Sequence, residues 1–303
     1  MAFKDEVIVS SSTSSFIQWF GFDQFQPERA VTSHFVSTKT FLCIRLILVL
    51  YSGAVQWASV WWMATQYQFS HYFAYFTYLT FIGLHAYFLT SFYHHIRYIS
   101  SSRRPTSFLY QSAIWNHLYV YLYHTNITFN LVTPIVYWVL LSSDFVAKAE
   151  TNPPMEWWLT PSVHGASLIM MMVDVVLNRM ILHKRMCLLV LLTIVFYIGL
   201  AFIYYATDHW WVYSFMDWSY PGTAAMYYAA LGVFITLCFF LQVGLHAIRD
   251  KWAPKQSDAD GTEKTGATII DEENDKSNFM PFESSIASQI TFGGTSSTDQ
   301  LAK

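Results

Sequence analysis

Six stretches of about 20 mainly apolar residues follow one another along this chain, and they constrain its fold more than any other feature. About 20 apolar residues is the length at which a helix crosses the hydrocarbon core of a bilayer. The stretches cover residues 40–63, 72–95, 119–141, 160–180, 186–205 and 222–246. The sequence therefore predicts an all-α, polytopic membrane helical bundle with six transmembrane helices over residues 40–250.

Lysine and arginine residues indicate how these helices are oriented. The loops 64–71, 142–159 and 206–221 together contain a single cation, Lys148. The intervening segments and both flanks are basic, and cytosolic loops are the ones that carry such an excess. Both termini are therefore predicted to be cytosolic. The same pattern suits an endomembrane such as the endoplasmic reticulum, or the plasma membrane.

The two flanks differ from the apolar region in composition. Residues 1–39 are rich in serine and threonine and then aromatic, which predicts a cytosolic segment that is partly interfacial, with a disordered lead-in as the alternative. Residues 251–303 are rich in Ser, Thr, Asp and Glu, which predicts a disordered cytosolic tail. Because ten of the 20 acidic residues lie in residues 250–303, the net charge of −3 is no argument for nucleic acid as a partner.

The second apolar stretch carries a polar seam. Thr77, Thr80, Gly83 and Tyr87 recur at spacings of three and four, which places them on one face of a helix. A polar face is unfavourable against lipid, so we expect this face to contact other helices or a bound molecule. Thr80 is the candidate for a reactive hydroxyl on this face.

The fourth apolar stretch carries a second set of polar groups, at similar spacings. They are His164, Ser167, Asp174 and Asn178, with Met171 on the same face. Polar groups inside the hydrocarbon region face the bundle interior and are usually functional, or else are paired for structure. This face is therefore predicted to point inward.

Depth in the membrane selects a pair from these two faces. Thr80 is predicted about 12 Å below the outer boundary and His164 about 6 Å below it, at 1.5 Å per residue. A hydroxyl and an imidazole within hydrogen-bond reach are the minimum for nucleophilic acyl transfer. The alternative is that Thr80 bonds its own helix backbone and that His164 is a satisfied structural residue.

Asp174 lies about 15 Å deeper than His164 along the same helix, too far to orient its imidazole. Arg45 lies at a similar depth, near the cytosolic end of the first stretch. The sequence therefore predicts a structural ion pair between Arg45 and Asp174. A proton relay through Asp174 is the alternative.

Three short motifs resemble a known family. The run Tyr78-Leu79-Thr80-Phe81-Ile82, then His164 at the start of an apolar run, then Trp211-Val212-Tyr213-Ser214-Phe215 are similar, in order and span, to motifs of the androgen-induced and androgen-dependent TFPI-regulating proteins. The resemblance covers about residues 40–250. It implies six spans and hydrolysis of fatty-acid esters of hydroxy fatty acids, with Thr80 as nucleophile and His164 as base. Ser214 stands where that pattern has proline, and the loops between spans two and four differ in length, which leaves substrate choice open.

These observations predict a membrane hydrolase of lipid esters that takes its substrate from the bilayer and uses no metal or cofactor. The predicted substrate-binding residues are Thr77, Gly83, Tyr87, Ser167, Met171, Trp211 and Tyr213. Two alternatives stay open: a transporter or lipid-binding sensor that uses Asp174 and Arg45, and a structural protein that acts through its tail. A haem pair could be drawn from His117, His124, His183 and His246, but nothing in the sequence selects two of them.

Overall fold

A computed structural model describes residues 12–100 and 111–254, and the regular structure of these residues is helical. The α-helices are α1 (Ser15–Phe20), α2 (Pro27–Val31), α3 (Thr38–Thr65), α4 (Phe76–Ser100), α5 (Ala113–Val136), α6 (Ser143–Ala147), α7 (Pro154–Pro161), α8 (Ser167–Leu177), α9 (Cys187–Asp208) and α10 (Pro221–Trp252). Short 3₁₀ turns cover Phe22–Gln24, Phe69–Ala74, Lys184–Met186 and Ser214–Met216. Two π-helical turns cover Tyr137–Leu141 and Ser162–Ala166.

Four helical stretches of the described chain are long and apolar enough to cross a membrane. They are Thr38–Thr65, Pro154–Leu177, Lys184–Asp208 and Pro221–Trp252. These stretches overlap the first, fourth, fifth and sixth apolar runs of the sequence. The all-helical prediction is therefore confirmed, with four helices able to cross a membrane, and the six-span prediction is not confirmed. Helices α4 and α5, which cover most of the second and third runs, are long but are not among the four.

Helix α5 falls outside that set because its polar side chains face protein rather than lipid. Every residue from Tyr123 to Pro134 is buried, and α4, α8, α9 and α10 all pack against this helix. A helix that is enclosed by other helices does not need an apolar surface, and polar groups there can bond their neighbours. The position of α5 at the centre of the bundle thus accounts for its lower hydropathy.

Each of the two π-helical turns follows a proline inside a helix. Pro134 precedes the turn Tyr137–Leu141, and Pro161 precedes the turn Ser162–Ala166. Proline removes a backbone donor and disturbs the regular hydrogen-bond ladder, and single π turns are one way in which helices absorb such a disturbance. The two turns lie against each other, because the ring of Tyr137 stacks on the ring of His164.

The part of residues 1–39 that the structure describes is folded onto the bundle. Helices α1 and α2 and the 3₁₀ turn between them place five hydrophobic side chains in the main core: Phe20, Phe22, Phe25, Ala30 and Val31. Phe16 and Trp19 on α1 stay exposed, as expected for aromatic groups at a membrane interface. We call residues 12–31 the N-terminal lead.

Gly21 is the residue at which the N-terminal lead packs closely against His183. Its φ is +79°, a left-handed conformation that suits glycine, and it follows α1 directly. A Cβ at this position would lie 2.6 Å from Nδ1 of His183, in the segment between α8 and α9. Glycine therefore serves both the turn and the packing.

The predicted tail begins within α10, which continues to Trp252. The prediction of disorder for residues 251–303 otherwise falls on 255–303, which lie outside the described residues, as do the basic residues Arg103 and Arg104.

The predicted ion pair between α3 and α8 is confirmed. Nε of Arg45 lies 2.9 Å from Oδ1 of Asp174, and both side chains are fully buried. The second oxygen of Asp174, Oδ2, accepts hydrogen bonds from the hydroxyl of Tyr87 at 2.6 Å and from Nδ2 of Asn178 at 3.0 Å. The carboxylate therefore ties α3, α4 and α8 together.

The network continues from Asn178 into α5 and α10. Oδ1 of Asn178 accepts hydrogen bonds from the hydroxyl of Tyr123 at 3.1 Å and from Nη1 of Arg249 at 3.1 Å. The Tyr123 hydroxyl is also 2.6 Å from Nε2 of His246. Five of the long helices thus meet in one chain of buried polar contacts.

Removing one member of the ion pair is expected to destabilise the protein strongly. Asp174→Ala leaves the Arg45 guanidinium buried without a counter-charge, which costs about 3–5 kcal/mol. The measurement is the thermal unfolding midpoint of the purified protein in detergent. Asp144→Ala, at an exposed position on α6, is the matched control and should unfold like the parent. An Asp174→Ala variant with the parent midpoint would show that the pair does not hold the bundle.

Gly21→Ala is expected to loosen the N-terminal lead. The added methyl group meets the His183 ring, and the left-handed backbone costs a non-glycine residue about 1–2 kcal/mol. Trypsin cleavage after Arg29 should become faster under native conditions. Gly244→Ala is the control, because a Cβ there meets no heavy atom within 4 Å. Equal cleavage rates in the parent and in both variants would show that glycine at position 21 is not needed for the packing of the N-terminal lead.

Candidate functional site

A cavity of about 320 Å³ lies between α4, α5 and α9, and Thr80 is part of its wall. Its other lining residues are Phe76, Leu79, Gly83, Tyr121, Leu122, Thr125, Asn126, Phe129, Thr193, Phe196, Tyr197 and Leu200. Most of these side chains are apolar or aromatic. Phe196 is 69 % exposed, so the lining reaches the outer, lipid-facing side of the bundle.

The Thr80 side chain is buried in that wall. Its hydroxyl donates a hydrogen bond to the backbone carbonyl of Thr77 at 2.9 Å. A threonine in a helix commonly bonds a carbonyl of the preceding turn in this way. To act as a nucleophile, the hydroxyl would have to release this bond.

Five further lining residues carry polar groups, and the sequence did not single them out as site residues: Tyr121, Thr125, Asn126, Thr193 and Tyr197. The hydroxyls of Tyr121 and Thr193 are 2.5 Å apart and join α5 to α9. Nδ2 of Asn126 donates to the carbonyls of Gly83 at 3.1 Å and Leu122 at 2.8 Å. A Cβ on Gly83 would lie 3.3 Å from Oδ1 of Asn126, so this glycine lets α4 and α5 approach closely.

A second cavity, of about 90 Å³, adjoins the first, since Phe76 and Tyr197 line both. Thr77 and Tyr213, two of the predicted substrate-binding residues, lie in its wall. The Tyr213 hydroxyl accepts a hydrogen bond from the backbone N–H of Phe76 at 3.1 Å. Burial raises the pKa of the Tyr213 phenol, which therefore stays protonated at neutral pH.

His164 lies in the π-helical turn before α8 and lines neither cavity. Its ring stacks on Tyr137 with the ring centroids 3.5 Å apart and the planes 8° from parallel. Tyr137 in turn lines the second cavity. Among the described residues, Nδ1 of His164 is buried and has no hydrogen-bond partner. A buried polar atom in that state is uncommon in proteins, and this one is free to bond a water or a ligand.

The other predicted site residues have structural contacts. Tyr87 is bonded to Asp174, Ser167 donates to the carbonyl of Val163 at 2.8 Å, and Met171 is buried in the main core. Trp211 stacks on Tyr205 with the centroids 4.1 Å apart. These four predicted substrate-binding residues line neither of the two cavities.

Within the described chain, Thr80 and His164 are not hydrogen-bonded to each other. They are nevertheless on neighbouring elements, because the turn Ser162–Ala166 packs against α4. The bond between Tyr87 and Asp174 gives a common reference level for α4 and α8. Counting from it at 1.5 Å per residue places Thr80 about 10 Å and His164 about 15 Å away, both on the N-terminal side of that level.

Two of the four histidines considered for haem have both ring nitrogens engaged in other contacts. His124 accepts a hydrogen bond from the backbone N–H of His183 at Nε2, and its Nδ1 is 2.7 Å from the carbonyl of Val120. Both ring nitrogens of His246 are likewise engaged, with Tyr123 and with the carbonyl of Gln242. In the part of the chain that the structure describes, no group of three or more His, Cys, Asp or Glu residues could hold a metal ion.

The chain matches no family model, no curated protein and no solved structure. Its resemblance to the androgen-induced and androgen-dependent TFPI-regulating proteins therefore stays a prediction that depends on the three short motifs.

Proposed function

We propose that this protein is a membrane hydrolase of lipid esters, related to the androgen-induced and androgen-dependent TFPI-regulating proteins. In this proposal it crosses an endomembrane or the plasma membrane six times, with α4 and α5 as the second and third spans and both termini in the cytosol. Thr80 is the nucleophile and His164 the base.

One observation carries the proposal: the Thr80 side chain forms part of the wall of an apolar cavity of about 320 Å³ whose lining reaches the lipid-facing side. Sites for small molecules are concave and mainly apolar, with few polar groups. An acyl chain that entered from the bilayer beside Phe196 would bring its ester group to the level of this hydroxyl.

The position and state of His164 support its role as base. Its level differs from that of Thr80 by only about 5 Å by the helix count, on an element that contacts α4. Its unpaired Nδ1 is able to accept a proton. The reaction requires that His164 turns away from Tyr137 and that the Thr80 hydroxyl leaves the Thr77 carbonyl.

The proposed reaction proceeds in two balanced steps. Oγ1 of Thr80 attacks the ester carbonyl while its proton passes to His164, and the protonated imidazole then gives that proton to the departing alcohol. The acyl-threonine is hydrolysed when water, with His164 again as base, attacks the same carbonyl. The products are a fatty acid and an alcohol, and Thr80 regains its proton.

A transporter or sensor built on Arg45 and Asp174 has less support. Both oxygens of Asp174 already accept hydrogen bonds from residues of the bundle, and the pair is fully buried. These contacts favour a role in holding the helices together.

Replacement of Thr80 is expected to abolish ester hydrolysis. With the purified protein in detergent and a fluorogenic medium-chain ester, Thr80→Ala should fall to the rate without enzyme and should lose labelling by a fluorophosphonate probe. His164→Gln should lower the rate by about 10²-fold or more, the usual contribution of a general base.

Thr90→Ala is the matched control, because Thr90 also donates to a carbonyl of its own helix, that of Ala86, and does not line the cavity. It should retain the parent rate. The proposal is wrong if Thr80→Ala hydrolyses the ester and takes the label as the parent does, with unfolding midpoints that match.

The six-span topology has its own test. Single cysteines in a variant without the native three, placed in loops 64–71, 142–159 and 206–221, should react with a membrane-impermeant maleimide from outside or from the lumen. Cysteines at positions 39 and 251 should react only after permeabilisation. Reaction of residue 39 and of loop 64–71 from the same side would contradict this topology.

A further inference from the structure

A cleft at the basic end of the bundle carries positive charge. It has a volume of about 370 Å³ and lies between the N-terminal lead and the segment that joins α8 to α9. Its lining residues are Gln18, Trp19, Phe20, Gly21, Gln24, Leu182, His183, Lys184 and Arg185. Two of these residues are cations and none is an acid, and across 12–100 and 111–254 neither cation forms an ion pair.

Arg185 is held in place by the N-terminal lead. Its Nη1 donates a hydrogen bond to the carbonyl of Trp19 at 3.0 Å, and the guanidinium lies 5.0 Å from the centroid of the Trp19 ring. That bond uses one of the five N–H donors of the guanidinium. A positioned arginine loses little freedom when it binds an anion, and its planar fork suits phosphate oxygens.

The imidazole of His183 lines the cleft but does not add positive charge to it. Burial lowers the pKa of its imidazole, against the opposite influence of Asp23, so the ring is neutral at neutral pH. It packs on Gly21 instead. Because Asp23 does not line the cleft, the charge there is that of Lys184 and Arg185.

Exposed apolar side chains surround this charged cleft. Phe16 and Trp19 on α1, together with Ile181 and Leu188, which are next or close in sequence to the lining residues 182–185, are all more than 40 % exposed. Aromatic and aliphatic groups beside cations are typical of the headgroup level of a membrane. A ligand that binds here would meet cations at the cleft and hydrocarbon at its rim.

We propose that this cleft binds the phosphate group of an anionic glycerophospholipid, with Lys184 and Arg185 as its charged ligands. The phosphate oxygens accept hydrogen bonds from both side chains, and the acyl chains run along the exposed apolar surface of α1 and α9. The site is independent of the proposed ester hydrolysis, since no residue lines both this cleft and the cavity beside Thr80.

The test compares three probes on the delipidated full-length protein in detergent. These are dioctanoyl phosphatidic acid, dioctanoyl phosphatidylcholine and inorganic phosphate, with binding measured by native mass spectrometry and by the shift of the unfolding midpoint. Phosphatidic acid should bind most tightly. The double variant K184Q/R185Q should weaken it by roughly 30-fold, the ratio that corresponds to about 1 kcal/mol for each cation near a membrane surface.

Two variants keep this test falsifiable. Lys184→Glu changes an exposed residue without an ion pair in the described chain, so it should fold like the parent and still lose binding. Lys251→Gln, an exposed cation at the end of α10, should bind like the parent.

Three results would overturn the proposal. One is equal binding of phosphatidic acid and phosphatidylcholine. Another is a loss of binding in Lys251→Gln as large as that in K184Q/R185Q, which would indicate general surface charge. The third is inorganic phosphate that binds as tightly as the lipid, which would make this a site for free phosphate. Failure of ester hydrolysis would leave this result unaffected, because the two readouts are separate.

Discussion

The bundle depends on one buried interaction, the ion pair between Arg45 and Asp174. Two charges in an apolar interior are tolerated only when they are paired and their remaining atoms are bonded. Tyr87 and Asn178 supply those bonds to the carboxylate, and Asn178 extends the network towards α10. The relative levels of the helices follow from this network, since a shift of one helix would leave a buried charge without its partner.

The central position of α5 follows from the same packing and creates the candidate site. An enclosed helix can present Asn126 and Tyr121 to its neighbours without exposing them to lipid. The cavity beside it forms where α4 and α9 diverge around those side chains, with Thr80 in the wall. The polar groups of the site are therefore buried between helices, while Phe196 extends its wall to the surface of the bundle.

The Arg45–Asp174 contact could be predicted from the sequence because it depends only on how deep each residue lies along its helix. Arg45 and Asp174 were matched by counting residues from the ends of their helices, and the structure joins them at 2.9 Å. The orientation of side chains around a helix axis was less predictable. Tyr87 was assigned to substrate and is bonded to Asp174, and His164 was paired with Thr80 but stacks on Tyr137. His164 lies in a π-helical turn, and a regular 3.6-residue count does not include the rotation that such a turn introduces. Tyr87 lies in a regular helix, and its partner is decided by the packing of α8 against α4.

The sequence by itself determined that this chain is helical and has apolar stretches long enough to cross a membrane, because a helix bonds its own backbone groups in hydrocarbon. It also determined that basic residues are unevenly distributed between those stretches. Only the tertiary structure decided which polar residues serve packing and which face a cavity. Thr77 and Thr80 share a helical seam in the sequence but line different cavities. Which cavity a side chain lines depends on the helices that surround it. Contacts between helices that are distant in the chain are decided by tertiary packing and cannot be read from residue spacing within one helix.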